Sequence, residues 1–292
     1  MQKKKEKIVK ALLFTCATVS VLTTAGIIWI LLTEAFVFFK DVSFWDFLTD
    51  TQWTPLFAEK HFGILPLICG TLLTTLIAVA FALPFGLCIA IYLNEFAPKK
   101  LRYYVKPMLE ILAAIPTVVY GYFALMVVTP FLQKLFPDLA GFNALSAGLV
   151  MGIMIIPLIS SLSEDALFAV PNSLREASYG MGATRFQTSF RILVPAAFSG
   201  ITVSVLLAIS RAMGETMIVA IAAGQQPRFT FDPTVPIETI TTFIVQVSMG
   251  DVARGSLEYQ SIFAAGIALF ALTFALNNIS FWIKQKFQKK YE

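Results

Sequence analysis

The sequence predicts an all-α polytopic membrane protein with six transmembrane helices. Three observations carry that prediction. The 292 residues are 57% hydrophobic and only 14% charged, and their mean hydropathy is +0.76, whereas charged residues make up about 25% of soluble domains. Six apolar runs reach the ~20 residues that a helix needs to cross a bilayer. The basic residues between those runs fall overwhelmingly on alternate loops, as they do when one set of loops faces the cytoplasm.

The first run, Ile8–Leu32, follows a Lys-rich start. It is longer than the ~7–15 apolar residues of a secretory signal and continues past any small-residue cleavage site, so it is expected to be a retained anchor. Glu34–Pro66 then interleaves acids with Phe36, Phe38, Phe39, Phe44, Trp45, Phe47, Trp53, Phe57 and Phe62. This composition predicts short amphipathic helices in the outer interface. The remaining spans are expected at Leu67–Leu93, Met108–Leu132, Ala144–Leu162, Ala196–Gly224 and Ser261–Ile283. Pro84, Pro116 and Pro157 lie inside them, where neighbours or water can satisfy the freed carbonyls. Kinks around a central path and simple packing kinks both account for these prolines. Gly148 and Gly152, four apart, point to a close helix contact. Between the last two spans, Gln225–Gln260 opens with a Pro-punctuated loop, and Ile237–Val247 then shows helical spacing of apolar residues. The chain thus divides into an anchor with an aromatic-rich outer segment (1–66), a core (67–283) that includes a polar segment (164–195), and a basic tail (284–292).

One set of loops holds sixteen Lys and Arg residues: five from Lys3 to Lys10, four from Lys99 to Lys106, then Arg175, Arg185 and Arg191, and four from Lys284 to Lys290. The other set holds only Lys40, Lys60, Lys134, Arg228 and Arg254, against ten acids. Both termini and the polar segment are therefore expected in the cytoplasm, where ATP is available. Glu164 and Asp165 are expected to be solvated acids heading that segment, Glu110 a dipole-complementing acid, and Lys99–Lys106 a topology anchor.

Several function classes are disfavoured. Cys16, Cys69 and Cys88 all lie in apolar runs, against a disulfide framework. His61 is the single histidine, which removes paired-His metal sites. No Gly-Lys dipeptide occurs, so a Walker A loop is excluded, and nothing gives a Ser, Cys or Asp a base partner at recognisable spacing. The chain is not expected to be an enzyme, to bind nucleic acid or to hold its own cofactor.

Two constellations remain. The first is Glu176–Pro195, EASYGMGATRFQTSFRILVP, a polar stretch between apolar runs. Membrane proteins usually keep internal loops short, so an ordered polar stretch of this length marks a docking surface. Gly182 is expected to end a short helix that exposes Glu176, and Pro195 to start the next span. The second is Arg211 and Glu215, both inside the fifth span, with Arg211 ~22 Å along the helix from Ala196. A buried charge costs about 2.5–3.5 kcal/mol there, so intramembrane ions usually serve function. An i,i+4 pair that merely permits insertion is the alternative, although Arg before Glu is the weaker order. The Arg fork suits an oxyanion.

The first stretch resembles the EAA loop of ABC-importer permeases: Glu176, Ala177, Gly182, Ile192 and Pro195 match it, with Ser178 in place of Ala and Val194 in place of Leu. The runs RAMGETM (211–217), AAIPTVVYG (113–121) and MIIP (154–157), with Pro66–Thr71, extend the resemblance to the PstC-type permease family of bacterial phosphate importers, from about Phe62 to the C-terminus. The resemblance implies the type I importer permease fold and inward movement of inorganic phosphate. It implies a PstA-type permease as heterodimer partner, two PstB-type ATPase subunits that bind ATP and Mg, a PstS-type phosphate-binding protein (periplasmic or lipid-anchored), and membrane lipids. It also implies that Arg211 and Glu215 lie on the substrate path and that Glu176, Ala177, Gly182, Ile192 and Pro195 couple to the ATPase. Another oxyanion such as molybdate or sulfate, the PstA-type sister role, and an ATP-independent carrier or channel are the rival readings.

Overall fold

A backbone that leaves water must satisfy its own N–H and C=O groups, so the apolar runs form helices. The computed structural model describes residues 2–288; Lys289 and Lys290 of the expected basic tail lie outside the described residues. Among those described, the only strand-like pairings are the isolated bridges Trp53–Phe62 and Gly224–Ile237. Five helical segments are long and apolar enough to cross a bilayer, and a bent pair brings the total to as many as six.

The first helix, α1 (Gln2–Asp41), runs well past the expected end at Leu32. After α2 (Phe44–Thr49), the aromatic segment does not simply lie in an interface. Phe38, Phe47, Trp53 and Phe62 turn inward as an edge-to-face cluster with every ring buried, and Trp53 packs 4.9 Å from Phe243. Burying each such ring removes ~150–250 Å² from water, which outweighs an interfacial position once a partner surface exists.

The centre of the fold is the contact between α3 (Leu65–Ile91) and α7 (Ala144–Phe168). Ala78, Ala82, Val150, Met151, Ile155 and Ile159 are fully buried in it. Glycines set its closeness: a Cβ on Gly148 would lie 2.7 Å from Ile77, one on Gly152 2.9 Å from the Ala78 carbonyl, and one on Gly86 2.8 Å from Ile159. The pairing expected from Gly148 and Gly152 is present. A π turn, Tyr92–Phe96, extends α3 beyond Ile91.

The third span differs from expectation. Helix α4 (Lys99–Ala114) ends before Ile115, which is extended because the following Pro116 disfavours the helical region there. The apolar span then runs through α5 (Thr117–Phe123), a π turn (Ala124–Val128) and α6 (Thr129–Leu135). The fifth span is also divided. It begins after the polar segment as α11 (Phe198–Met213), stops at Gly214, and resumes as α12 (Met217–Ala222). A loop leads to α13 (Ile240–Met249), and α14 (Leu257–Gln288) returns beside α1. There a Cβ on Gly266 would lie 2.8 Å from Leu31.

Candidate functional site

Arg211 occupies the last turn of α11 with its side chain exposed, and Glu215 is buried just beyond the helix end. The structure does not bring them together: among the described residues they form no ion pair, and the Arg211 guanidinium has no hydrogen-bond partner. The reason is local. An i,i+4 contact needs a continuous helix, and this one tightens and stops, the Glu215 N–H donating to the Ala212 carbonyl at 3.1 Å.

Glu215 is committed elsewhere. Its Oε1 accepts from the backbone N–H groups of Met217 (3.1 Å) and Ile218 (3.3 Å), capping the first turn of α12. Its carbonyl accepts from Thr241 Oγ1 of α13 at 2.9 Å. The break therefore has a built frame, and among the described residues the guanidinium beside it keeps its five N–H donors uncommitted.

The polar segment is fastened at its root and exposed at its tip. Helix α8 (Asn172–Gly180) presents Glu176 and Ala177 to the outside, and Gly182 (φ +80°) turns the chain where a side chain would be strained. Thr184 and Gln187 form a reciprocal capping box that starts α9 (Arg185–Thr188). A π turn (Ser189–Leu193) and the short α10 (Val194–Ala196) lead into α11. Met181 and Phe186 are exposed at the tip, whereas Ile192 and Pro195 are half-buried and anchor the segment rather than present it.

Arg175 makes the fastening. Its guanidinium donates to Glu95 Oε1 (3.1 Å) at the end of the α3 extension, to the Leu167 carbonyl (3.0 Å), to the Val170 carbonyl (3.1 Å) and to Asn172 Oδ1 (2.8 Å). It thereby closes the C-terminus of α7 and ties α8 to α3. Ser178 bonds Thr188 at 2.8 Å, holding α8 to α9. Sequence reasoning counted Arg175 for topology only and gave Glu95, Ser178 and Thr188 no role. A carboxylate ending the apolar run of α3 was the one available signal.

The expectation for Glu164 is corrected. It does not head a solvated segment: α7 continues through it, and its side chain is 1% exposed. It pairs with Arg102, and with Lys106 at 3.4 Å, while Lys106 also bonds Asp165 at 3.0 Å. Burial pulls the Lys106 ammonium down, but the Asp165 hydrogen bond and the charges of Glu164 and Asp165 outweigh it and hold the group above its ordinary value. The basic face of α4 is thus clamped to α7.

Residues 82–291 match the family described as the binding-protein-dependent transport system inner membrane component. The chain is 36% identical to the phosphate transport system permease protein PstC of Mesorhizobium japonicum, over 79% of this chain and 75% of that one. It is 36% identical to the probable ABC transporter permease protein YqgH of Bacillus subtilis, over 78% and 74% of the two chains. Its fold is similar to that of a bacterial alginate ABC transporter solved with an alginate pentasaccharide-bound periplasmic protein, with TM-score 0.58, 19% identity, and 90% and 92% of the two chains covered.

Proposed function

Because the chain belongs to the family of binding-protein-dependent transport system inner membrane components, we propose that it is the PstC-type permease subunit of a phosphate ABC importer. It is a multi-pass inner-membrane protein that moves inorganic phosphate towards the cytoplasm, driven by ATP hydrolysed on partner subunits. The observation that carries the mechanistic part is the guanidinium of Arg211, without a partner among the described residues, beside a framed helix break. A bare guanidinium facing lipid is disfavoured by about 2.5–3.5 kcal/mol. The exposed face of α11 is therefore read as the side on which a second, PstA-type permease completes a path. There Arg211 offers a planar donor fork to a tetrahedral oxyanion in transit. Glu215 acts by holding α12 at the break, and thus sets where Arg211 ends up.

The exposed surface of α8, with Glu176 and Ala177, and the Gly182 turn are the seat for one of two PstB-type ATPase subunits. Those subunits bind ATP and Mg, since this sequence has no Walker A loop. The polar segment and both termini lie in the cytoplasm, following the basic residues. A PstS-type binding protein delivers phosphate to the opposite end. Affinity purification of the tagged chain tests this: the sister permease, the ATPase and the binding protein should co-purify, and reconstituted uptake should require ATP. Phosphate uptake by this chain alone, without ATPase subunits, would contradict it and favour a secondary carrier.

A further inference from the structure

Arg211 sits between two hydrogen bonds that reach the end of its helix from elsewhere in the chain. On one side Ser210 Oγ donates to Asn277 Oδ1 of α14 at 3.2 Å. On the other, Thr241 Oγ1 of α13 donates to the Glu215 carbonyl at 2.9 Å. Among the described residues, these are the hydrogen bonds that other helices make to the stretch 210–217.

Neither bond is incidental. Asn277 lies inside the apolar stretch Leu257–Ile279, where an amide needs a polar partner. The next residue, Asn278, finds one in its own helix, at the Phe274 carbonyl (2.8 Å), whereas Asn277 bonds across to α11. Glu215 lies outside α12, and among the described residues its carbonyl accepts no backbone N–H, so the Thr241 hydroxyl is its donor. The two arms also belong to one body. Ile240, Phe243 and Val247 of α13 are buried in the same cluster as Ala264 and Ala265 of α14. The start of α13 is pinned to α3 as well: the Ile240 N–H donates to Thr71 Oγ1 at 3.1 Å, and a Cβ on Gly70 would lie 2.1 Å from the Glu238 carbonyl.

The end of α11 needs such support. It stops at Met213, just beyond Arg211, and terminal turns fray because their last carbonyls lack helical partners. A donor fork on a fraying turn samples many directions, whereas an oxyanion is recognised by a fork at one distance and angle. We infer that Thr241 and Asn277 are positioning residues for transport: together they bracket the end of α11 and hold the Arg211 guanidinium at one height and heading. They act through Arg211, with no contact of their own to the anion required. The inference rests on reading Arg211 as part of the phosphate path, and it adds the residues that aim it.

The test is labelled-phosphate uptake into vesicles by the reconstituted complex, normalised to assembled complex. Thr241→Val keeps the side-chain shape and loses the hydroxyl; Asn277→Leu loses the amide at an exposed position. Each should lower uptake about three- to tenfold, the scale of one hydrogen bond, and Thr241→Ser, which keeps the hydroxyl, should restore it. Because both residues act through the guanidinium, neither substitution should lower the residual uptake of Arg211→Lys further. Should Thr241→Val fail to assemble, Asn277→Leu in both backgrounds carries the same test. Wild-type uptake by either assembled variant would overturn the inference, as would a Thr241→Ser loss equal to that of Thr241→Val. An undiminished further loss in the Arg211→Lys background would also overturn it, in favour of packing. A wild-type complex that moves no phosphate, or moves it without ATP, would instead sink the importer reading.

Discussion

Replacing Arg175 by Ala removes four hydrogen bonds at once, those to Glu95, Leu167, Val170 and Asn172. The Arg175 and Glu95 side chains are 15% and 5% exposed, so the pair is largely shielded from water. Removing one partner of a buried pair costs about 3–5 kcal/mol, mostly because the other charge is left unpaired. Adding four charge-assisted bonds at ~1.5–3 kcal/mol each would exceed that range, but bonds sharing one side chain are not additive. Among the described residues Glu95 would keep the Asn94 amide at 3.0 Å. The spans do not depend on this contact, so the variant should insert and assemble while α8 loses its tie to α3 and α7. In the reconstituted complex, stimulation of the ATPase by loaded binding protein should fall at least tenfold. Arg175→Lys should recover little, because a point ammonium cannot reach three acceptors and Glu95 together. A double-mutant cycle with Glu95→Gln should show coupling of about 0.5–3 kcal/mol in denaturation experiments. Additive effects in that cycle with full ATPase stimulation would refute the idea that Arg175 transmits force from the docking helix to the spans.

Gly182→Pro should leave insertion intact but abolish ATPase stimulation or co-purification of the ATPase, since φ +80° is closed to proline; normal stimulation would count against the docking surface. Gly148→Val should destabilise the fold by about 1–3 kcal/mol through overpacking, seen as a lower Tm, because even its Cβ would lie 2.7 Å from Ile77. Glu238 makes stability pH-dependent. Its folded pKa of about 8 lies above the ordinary 4.5, so between those values the unfolded chain gives up a proton that the folded one keeps. Stability should therefore be fullest below pH 4.5, fall as pH rises through 8, and level off above it. The total change is on the order of 5 kcal/mol. Glu238→Gln should remove that slope and raise Tm at pH 8; an unchanged Tm–pH profile would contradict the burial of a neutral carboxyl.

Much of the fold was legible because membrane spans announce themselves by length and composition, and the polar segment by its glycine and proline spacing. Two of the differences come from contacts far apart in sequence, and a third is local. Glu164 looked solvated because Arg102, its partner, lies on a different helix. Which rings of the aromatic run turn inward was not legible because Phe243, which receives Trp53, comes much later in the chain. The fifth span looked continuous because one glycine, Gly214, rarely stops a helix by itself. It stops here because the Glu215 side chain caps the helix that follows. The same break separates Arg211 from Glu215, so the alternative of an i,i+4 pair, which their spacing allowed, is not formed.

That relation gives the most direct test of the transport reading. Labelled-phosphate uptake into vesicles, normalised to assembled complex, is measured for Arg211→Gln, Arg211→Lys and the Arg211→Gln, Glu215→Gln double variant. The account predicts that all three assemble. It predicts no uptake from Arg211→Gln, little from Arg211→Lys, and no rescue in the double variant, because Glu215 serves the α12 cap and was never the partner of Arg211. Wild-type uptake by the neutral double variant would contradict the account and assign both residues to packing or insertion.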